Sequence, residues 1–146
     1  VYAVMSMRKT VALLMLLGFA LASPDFGRWY PFAEAQALAQ AHGRLLLVYF
    51  HSPACPYCDQ MNTFVLSDPQ VDALLRGRYV VASVSTATPE GQDLARRFRV
   101  PGVPSFVFLA FRKGAWEEVG RFFGSRPRAQ FLEELRQMCA KGGACG

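Results

Sequence analysis

The sequence predicts an α/β layered protein, with a central sheet of about four strands and helices on both faces. Three observations carry this. Leu45 to Phe50 is a continuous apolar run and Val103 to Phe111 a long, mainly apolar one, both of strand length, as expected of strands buried on both faces. Segments with helical spacing of apolar residues stand before, between and after those runs. Finally, Arg112-Lys113-Gly114 is a tight turn leading into a more polar strand, so the last two strands form a hairpin. Strands separated by helices are expected to pair in parallel.

Each element has its own signal. Pro24 to Pro31 reads as an irregular lead-in. Phe32 to His42 carries Phe32, Ala35, Leu38 and Ala39 on one stripe and stops at Gly43. The segment after Leu45–Phe50 opens a helix reaching about Leu66, with Tyr57, Met61, Phe64 and Val65 expected on one side. Ser67-Asp68-Pro69 is a capped restart, because proline suits a first helical turn, and Val71 to Leu75 continues it. Tyr79 to Val84 is a strand and Pro89 to Phe98 a helix. Trp116 to Phe123 closes the hairpin. Arg126 to about Met138 is an amphipathic helix with Phe131, Leu132, Leu135 and Met138 inward. The order is α-β-α-(α)-β-α-β-β-α.

Composition bounds the function. At 146 residues, 52% hydrophobic and 18% charged, the chain is too apolar for disorder and long enough for one domain. Four cysteines are far too few for a disulfide scaffold. Residues 1–22 read as a secretory signal peptide: Arg8 and Lys9, an apolar run from Val11 to Leu21, then Ala20-Leu21-Ala22. The run has about half the ~20 residues a spanning helix needs. Cleavage after Ala22 leaves a single domain, 23–146, in an exported, periplasmic or other extracytoplasmic setting. Retention of the leader as a membrane anchor is the alternative. Without Arg8 and Lys9, fourteen basic side chains face eleven acidic ones and lie scattered, which argues against a nucleic-acid partner.

The chemistry is concentrated at Cys55-Pro56-Tyr57-Cys58. A C-x-x-C pair is a redox dithiol, half of a zinc site, or chance. Here it directly follows a buried strand and opens a helix. Unpaired N–H groups and the macrodipole at a helix start stabilise a thiolate, so Cys55 is the expected nucleophile. Cys58, one turn in, is placed to resolve a mixed disulfide. Pro56 occupies the first helical turn, where its missing N–H costs nothing. Tyr57, between the cysteines, is expected to be exposed. Pro104, at the first residue of a strand, also has positional meaning, since proline cannot donate to a ladder.

Together these residues resemble the thioredoxin-like family over roughly Phe32 to Leu135. The resemblance implies the thioredoxin fold, with a mixed sheet made of a parallel pair and a C-terminal antiparallel hairpin. It implies thiol:disulfide oxidoreductase activity, with Cys55 as nucleophile, Cys58 as resolving cysteine and Pro104 as a cis-proline beside them. Gly124 matches a recurrent family glycine, and the Val103 backbone is expected to pair with an extended substrate segment. Partners implied are a disulfide-containing protein or small molecule and an upstream dithiol that recycles the enzyme. No cofactor or metal is called for, and a monomer is expected.

The stretch from Tyr49 to Val84 looks like exported relatives linked to sulfur oxidation. The Pro-Tyr dipeptide resembles glutaredoxins, though nothing else marks a glutathione site. Tyr49 stands where cytosolic thioredoxins carry a buried Asp, Ala54 where a Trp is usual, and Asp59 where a Lys is frequent. An acidic Asp59 would tend to raise the Cys58 thiol pKa.

Other residues have less specific readings. Cys139 and Cys145 are expected to close a small ring at the chain end, with a buried inert thiol or a second redox pair as alternatives. His51 either sits half-exposed at a strand end or, if protonated, stabilises the Cys55 thiolate. Arg96, Arg97 and Arg99 form a solvated basic helix end, and Trp29 and Trp116 belong to core edges. Net disulfide oxidation or isomerisation, and a soft-metal module holding Cu(I) or Zn²⁺ through Cys55 and Cys58, are the alternative functions.

Overall fold

The computed structural model describes residues 24–145, so the predicted leader lies outside the described residues. The elements are α1 (Phe32–His42), β1 (Leu45–His51), α2 (Pro56–Gln60) running on into a π turn (Met61–Val65), α3 (Pro69–Arg78), β2 (Tyr79–Ser85), α4 (Pro89–Arg97), β3 (Ser105–Arg112), β4 (Ala115–Phe123) and α5 (Arg128–Lys141). The strands form one sheet in the order β2-β1-β3-β4.

The apolar runs are continuous because alternate side chains enter two different cores. Leu45, Leu47 and Tyr49 of β1 join Val81, Phe106 and Phe108 on the face covered by the π turn, α3 and α5. Leu46, Val48 and Phe50 point the other way, with Val80, Ala82 and Val107, onto α1 and α4. A strand buried on both sides has no polar face to alternate with. β4 is an edge strand and carries the polar residues, including Glu117, Glu118 and Arg121.

β1 and β2 pair in parallel, Leu45 opposite Tyr79 through His51 opposite Ser85. β1 and β3, although separated by helices, are antiparallel, against the simple expectation. The cause is where the chain re-enters: β2 ends at Ser85 beside His51, and β3 begins at Ser105 beside Phe50. The connection through α4 therefore returns to the end of the sheet it left. The hairpin of β3 and β4 is antiparallel as predicted, with a register shift between Phe108 and Leu109.

Local stops and starts follow the sequence closely. Asp68 Oδ2 accepts from the N–H of Gln70 and Val71 at 3.0 and 3.2 Å, and Pro69 opens α3. Thr88 Oγ1 accepts from the Gly91 N–H at 3.0 Å, and Pro89 opens α4. A β-carbon on Gly91 would fall on the Ser85 carbonyl oxygen, so the first turn of α4 can approach β2 this closely only without a side chain. The lead-in is less irregular than expected. Tyr30 bridges to Ala82, its N–H donating to the Val81 carbonyl and its carbonyl accepting from the Ser83 N–H, both at 3.0 Å.

The helix after the cysteines departs from its predicted pattern. The Leu66 N–H reaches back five residues to the Met61 carbonyl at 2.7 Å, the bond of a π turn. Met61 and Val65 are buried and Phe64 is exposed rather than aligned with them; Tyr57, ahead of the π turn, is exposed, as its place between the cysteines predicts. One extra residue in the turn breaks the 3.6-residue spacing on which the single-sided expectation rested.

Candidate active site

The site is built at the C-terminal end of β1. Buried β1 delivers the chain to a short turn, and Cys55 becomes the residue that caps α2, with Pro56 as its first residue. Cys55 Sγ accepts the Cys58 N–H at 3.1 Å, and the two sulfurs are joined as a disulfide with Cα atoms 5.2 Å apart. Cys55 keeps 6% exposure and Cys58 only 1%, so an incoming sulfur reaches Cys55 first. A thiolate at Cys55 would face the donor that the disulfide sulfur already meets, which favours the anion.

The Val103–Pro104 peptide is cis. Its neighbour Gly124 has φ of +102° and donates its N–H to the Pro104 carbonyl at 2.9 Å, which ties the end of β4 to the proline loop. Tyr57, Val103, Pro104 and Gly124 line a common groove of about 820 Å³. Pro104 itself precedes β3, whose first residue is Ser105, one position later than predicted.

Tyr49 is fully buried. Its ring stacks on Phe106 at 5.0 Å and meets Trp29 edge-on, and its hydroxyl donates to Asn62 Oδ1 at 3.0 Å. Burial, assisted by the Asp59 carboxylate, pushes its pKa up to about 12. A group that holds its proton this firmly does not replace a buried carboxylate as a base near neutral pH. Asn62 was not singled out in the sequence; only its place one turn after Cys58 could have drawn attention to it.

His51 is half-buried. Its Nε2 lies 2.7 Å from Ser83 Oγ and its ring against Tyr49, while burial lowers its pKa and favours the neutral form. The half-exposed reading describes it better than that of a cationic partner for Cys55. Trp29 and Trp116 pack at the margins of the two cores, as expected. Arg96, Arg97 and Arg99 stand exposed at the end of α4, with Arg96 3.7 Å from Asp93.

The second cysteine pair is also bonded, Cys139 to Cys145 with Cα atoms 5.2 Å apart. It lies at the other end of the molecule, where the neighbouring Gly142 packs against Leu45 at the start of β1. The seven residues of β1 separate the two disulfides by about 20 Å, too far for direct exchange within one chain. Among the described residues no three His, Cys, Asp or Glu side chains cluster as a metal site.

A family model described as a thioredoxin-like domain matches residues 32–139. This chain belongs to the thioredoxin-like family. With its paired cysteines it falls among that family's thiol:disulfide oxidoreductases. It is 75% identical to a thioredoxin from Thermus thermophilus, with a TM-score of 0.76, covering 82% of this chain and 92% of that one. It is 32% identical over 102 residues to the thiol:disulfide interchange protein DsbD of Salmonella typhi. That match covers 68% of this chain and 18% of DsbD, so the thioredoxin-like chain spans under a fifth of that relative's length. The oxidised C-terminal domain of Neisseria meningitidis DsbD shares the fold at 20% identity and a TM-score of 0.60, over 75% of this chain and 98% of that one. These relatives carry the likeness to thiol:disulfide interchange proteins; the sulfur-oxidation likeness of Tyr49 to Val84 stays an expectation.

Proposed function

We propose that this thioredoxin-like protein is an exported reductase of protein or small-molecule disulfides, working through Cys55 and Cys58. The observation that carries the reading is the Cys55–Cys58 disulfide at the start of α2, its outer sulfur facing the Cys58 N–H, with Tyr57 between the two cysteines lining the groove along Val103–Pro104.

In the reduced protein, the Cys55 thiolate attacks one sulfur of a substrate disulfide. A Cys55–substrate bond forms, the substrate S–S bond breaks, and the other substrate sulfur leaves as a thiolate that takes up a proton. Cys58 then loses its proton and attacks Cys55 Sγ. The second substrate sulfur departs, leaving a reduced substrate and the Cys55–Cys58 disulfide. Two electrons have passed to the substrate, so an external dithiol must restore the pair. Val103, just before β3, offers its backbone to an extended substrate segment by strand addition. Tyr57 and Pro56 border the same approach. Cys139–Cys145, a strand's length away, has a structural part. Export rests on the leader sequence of residues 1–22.

The deciding measurement is the equilibrium potential of Cys55–Cys58 against glutathione, with Cys139 and Cys145 both replaced by alanine. A value near −270 mV, thioredoxin's, supports a reductase; one near −120 mV reverses the electron flow. Stoichiometric Cu(I) or Zn²⁺ in the reduced protein, lost in Cys55→Ser and unaccompanied by disulfide exchange, would replace the enzyme reading altogether. Mass spectrometry of protein recovered outside the cytosol tests export: a chain beginning at Ser23 is expected, and retention of the whole product in the cytosol overturns it.

A further inference from the structure

At the end of the sheet opposite the cysteines, basic side chains that lie scattered along the sequence come together. Arg44 donates to the carbonyls of Arg76 and Tyr79, Arg78 to that of Ala144 at 3.4 Å, and Arg112 to that of Lys141 at 3.3 Å. Lys113 stands exposed in the turn between β3 and β4, and Arg78 and Lys141 are exposed as well. Asp25, Asp72 and Glu117, the carboxylates beside them, are already paired with Arg76 and Arg112. Among the described residues Arg44, Arg78, Lys113 and Lys141 have no carboxylate partner. Burial, and after it the charge of Arg78, lowers the pKa of Arg44, as expected where like charges crowd together.

Cations suit the last turn of a helix, which accounts for Arg76 and Arg78 in α3 and Lys141 in α5. That effect does not account for Arg44, Arg112 and Lys113, which sit at strand ends and in the hairpin turn. Two observations indicate what covers this end. The described chain enters here, with Asp25 3.6 Å from Arg76, and the sequence before it carries Arg8, Lys9 and the apolar run Val11 to Leu21. A segment of that kind, cleaved or kept, delivers the domain to a bilayer with this end foremost. Secondly, a protein partner needs an apolar centre to its interface. The large hydrophobics exposed among the described residues, Tyr57, Phe64 and Phe123, stand instead at the redox end, where Phe123 lies across Gly102. A basic end without an apolar centre suits a surface of phosphate diesters, where each Lys or Arg is worth about five-fold in partitioning.

We propose that this end docks on an anionic phospholipid bilayer, with Arg78, Lys113 and Lys141 meeting the lipid phosphates and Cys55 turned away from them. The docking is a property beyond the thiol–disulfide reading and stands independently of it. β1 holds Cys55 about 20 Å from the basic end. The bilayer's potential is screened over about 8 Å at physiological salt, so it does not reach the Cys55 thiolate.

The test uses the protein in the length the cell leaves it, purified without detergent. Vesicles are phosphatidylcholine alone, or phosphatidylcholine with one quarter phosphatidylglycerol. Co-sedimentation is expected to show at least ten-fold stronger partition onto the anionic vesicles at about 20 mM salt, lost at about 0.5 M. Arg78→Gln/Lys113→Gln/Lys141→Gln is expected to weaken that partition at least ten-fold. Arg97→Gln/Arg99→Gln, which removes two exposed cations from the end of α4, is expected to change it less than three-fold. The salt and lipid dependence of the unaltered protein stands whatever the triple variant does to the fold. Equal partition onto both vesicle types, a triple variant that binds as the unaltered protein does, or an equal loss in Arg97→Gln/Arg99→Gln overturns the docking face. Retention on immobilised polyglutamate without binding to anionic vesicles gives this end to an acidic protein and also overturns the bilayer. Alkylation of Cys55 by iodoacetamide in the reduced protein, followed by mass spectrometry, reads the orientation. Its rate is expected to change less than two-fold on the vesicles, and a ten-fold fall would set the redox end against the lipid and overturn the proposal.

Discussion

Replacing Cys145 by alanine opens the ring at the chain end without touching the buried sulfur of Cys139, which is fully inaccessible. The ring closes residues 139 through 145. Chain-entropy reasoning for a loop of seven residues gives a denatured state restricted by about 8 cal/mol/K, or about 2 kcal/mol at 25 °C. Removing Cys139 as well takes one well-packed atom from the core beside Leu135 and Phe131 and adds about 1 kcal/mol. Urea titration followed by tyrosine and tryptophan fluorescence reads both effects. Cys145→Ala should lower stability by about 2 kcal/mol with an equal or slightly larger m-value, and Cys139→Ala/Cys145→Ala by about 3 kcal/mol. Alanine variants are needed because a reductant would also open Cys55–Cys58. An unchanged midpoint in Cys145→Ala would show that the ring does not restrain the unfolded chain. A ten-fold change in the Cys55–Cys58 equilibrium constant would refute the separation of the two ends.

Burial raises the pKa of both Tyr49, to about 12, and Tyr79. The folded state therefore holds these protons more firmly than the unfolded chain, and their stabilisation is full below pH 10 and lost as pH rises above it. Unfolding free energy should fall by roughly 1.4 kcal/mol per pH unit per tyrosine over that window, and Tyr49→Phe should remove one share of the slope in urea titrations between pH 9 and 12. His51 has the opposite sense: its lowered pKa gives stability that is present above about pH 6.5 and lost below it, so His51→Asn should flatten the acid limb of a Tm–pH profile. Gly91→Ala should cost about 3 kcal/mol in thermal unfolding, because the new methyl meets the Ser85 carbonyl; a loss under about 1 kcal/mol would mean that α4 shifts freely.

The parts of the fold legible in the sequence are those governed by one dominant local force. Leu45–Phe50 and Val103–Phe111 stand out because burial on both faces leaves almost no polar residue, Ser105 being the exception, and Asp68-Pro69 because a cap and a proline act on the same turn. The cysteine pair is legible for a related reason: strand, C-x-x-C and helix follow one another with only a short turn between strand and cysteines. The β1–β3 direction was not, since it depends on the path back from α4 rather than on either strand. Phe64 departs from its expected side because the π turn packs both Met61 and Val65 into the core across one extra residue, and no residue in Met61–Val65 announces it. Phe123 reads as an ordinary strand residue until the fold brings it across Gly102. The Tyr30 bridge hides in the same way, because two hydrogen bonds leave no hydrophobic period.

The π turn also acts as a phase adjuster. Each α-helical residue advances the chain by about 100° around the axis, whereas the π turn takes up one extra residue within a single turn. Deleting one residue from Met61–Val65 would therefore relax it to a plain α turn with Cys58 and α3 close to their present relative facing, while inserting one would rotate the cysteine-bearing turn against Asp68 and α3 by about 100°. Loss of a residue in this segment should accordingly be better tolerated than gain of one, whereas chains that shorten or lengthen the 112–114 turn move only the tip of the hairpin. A homologue with a plain α-helix here would have one residue fewer between its second cysteine and the residue matching Asp68. Its outward-facing aromatic, if present, would lie elsewhere on the helix circumference and would frame a differently shaped groove.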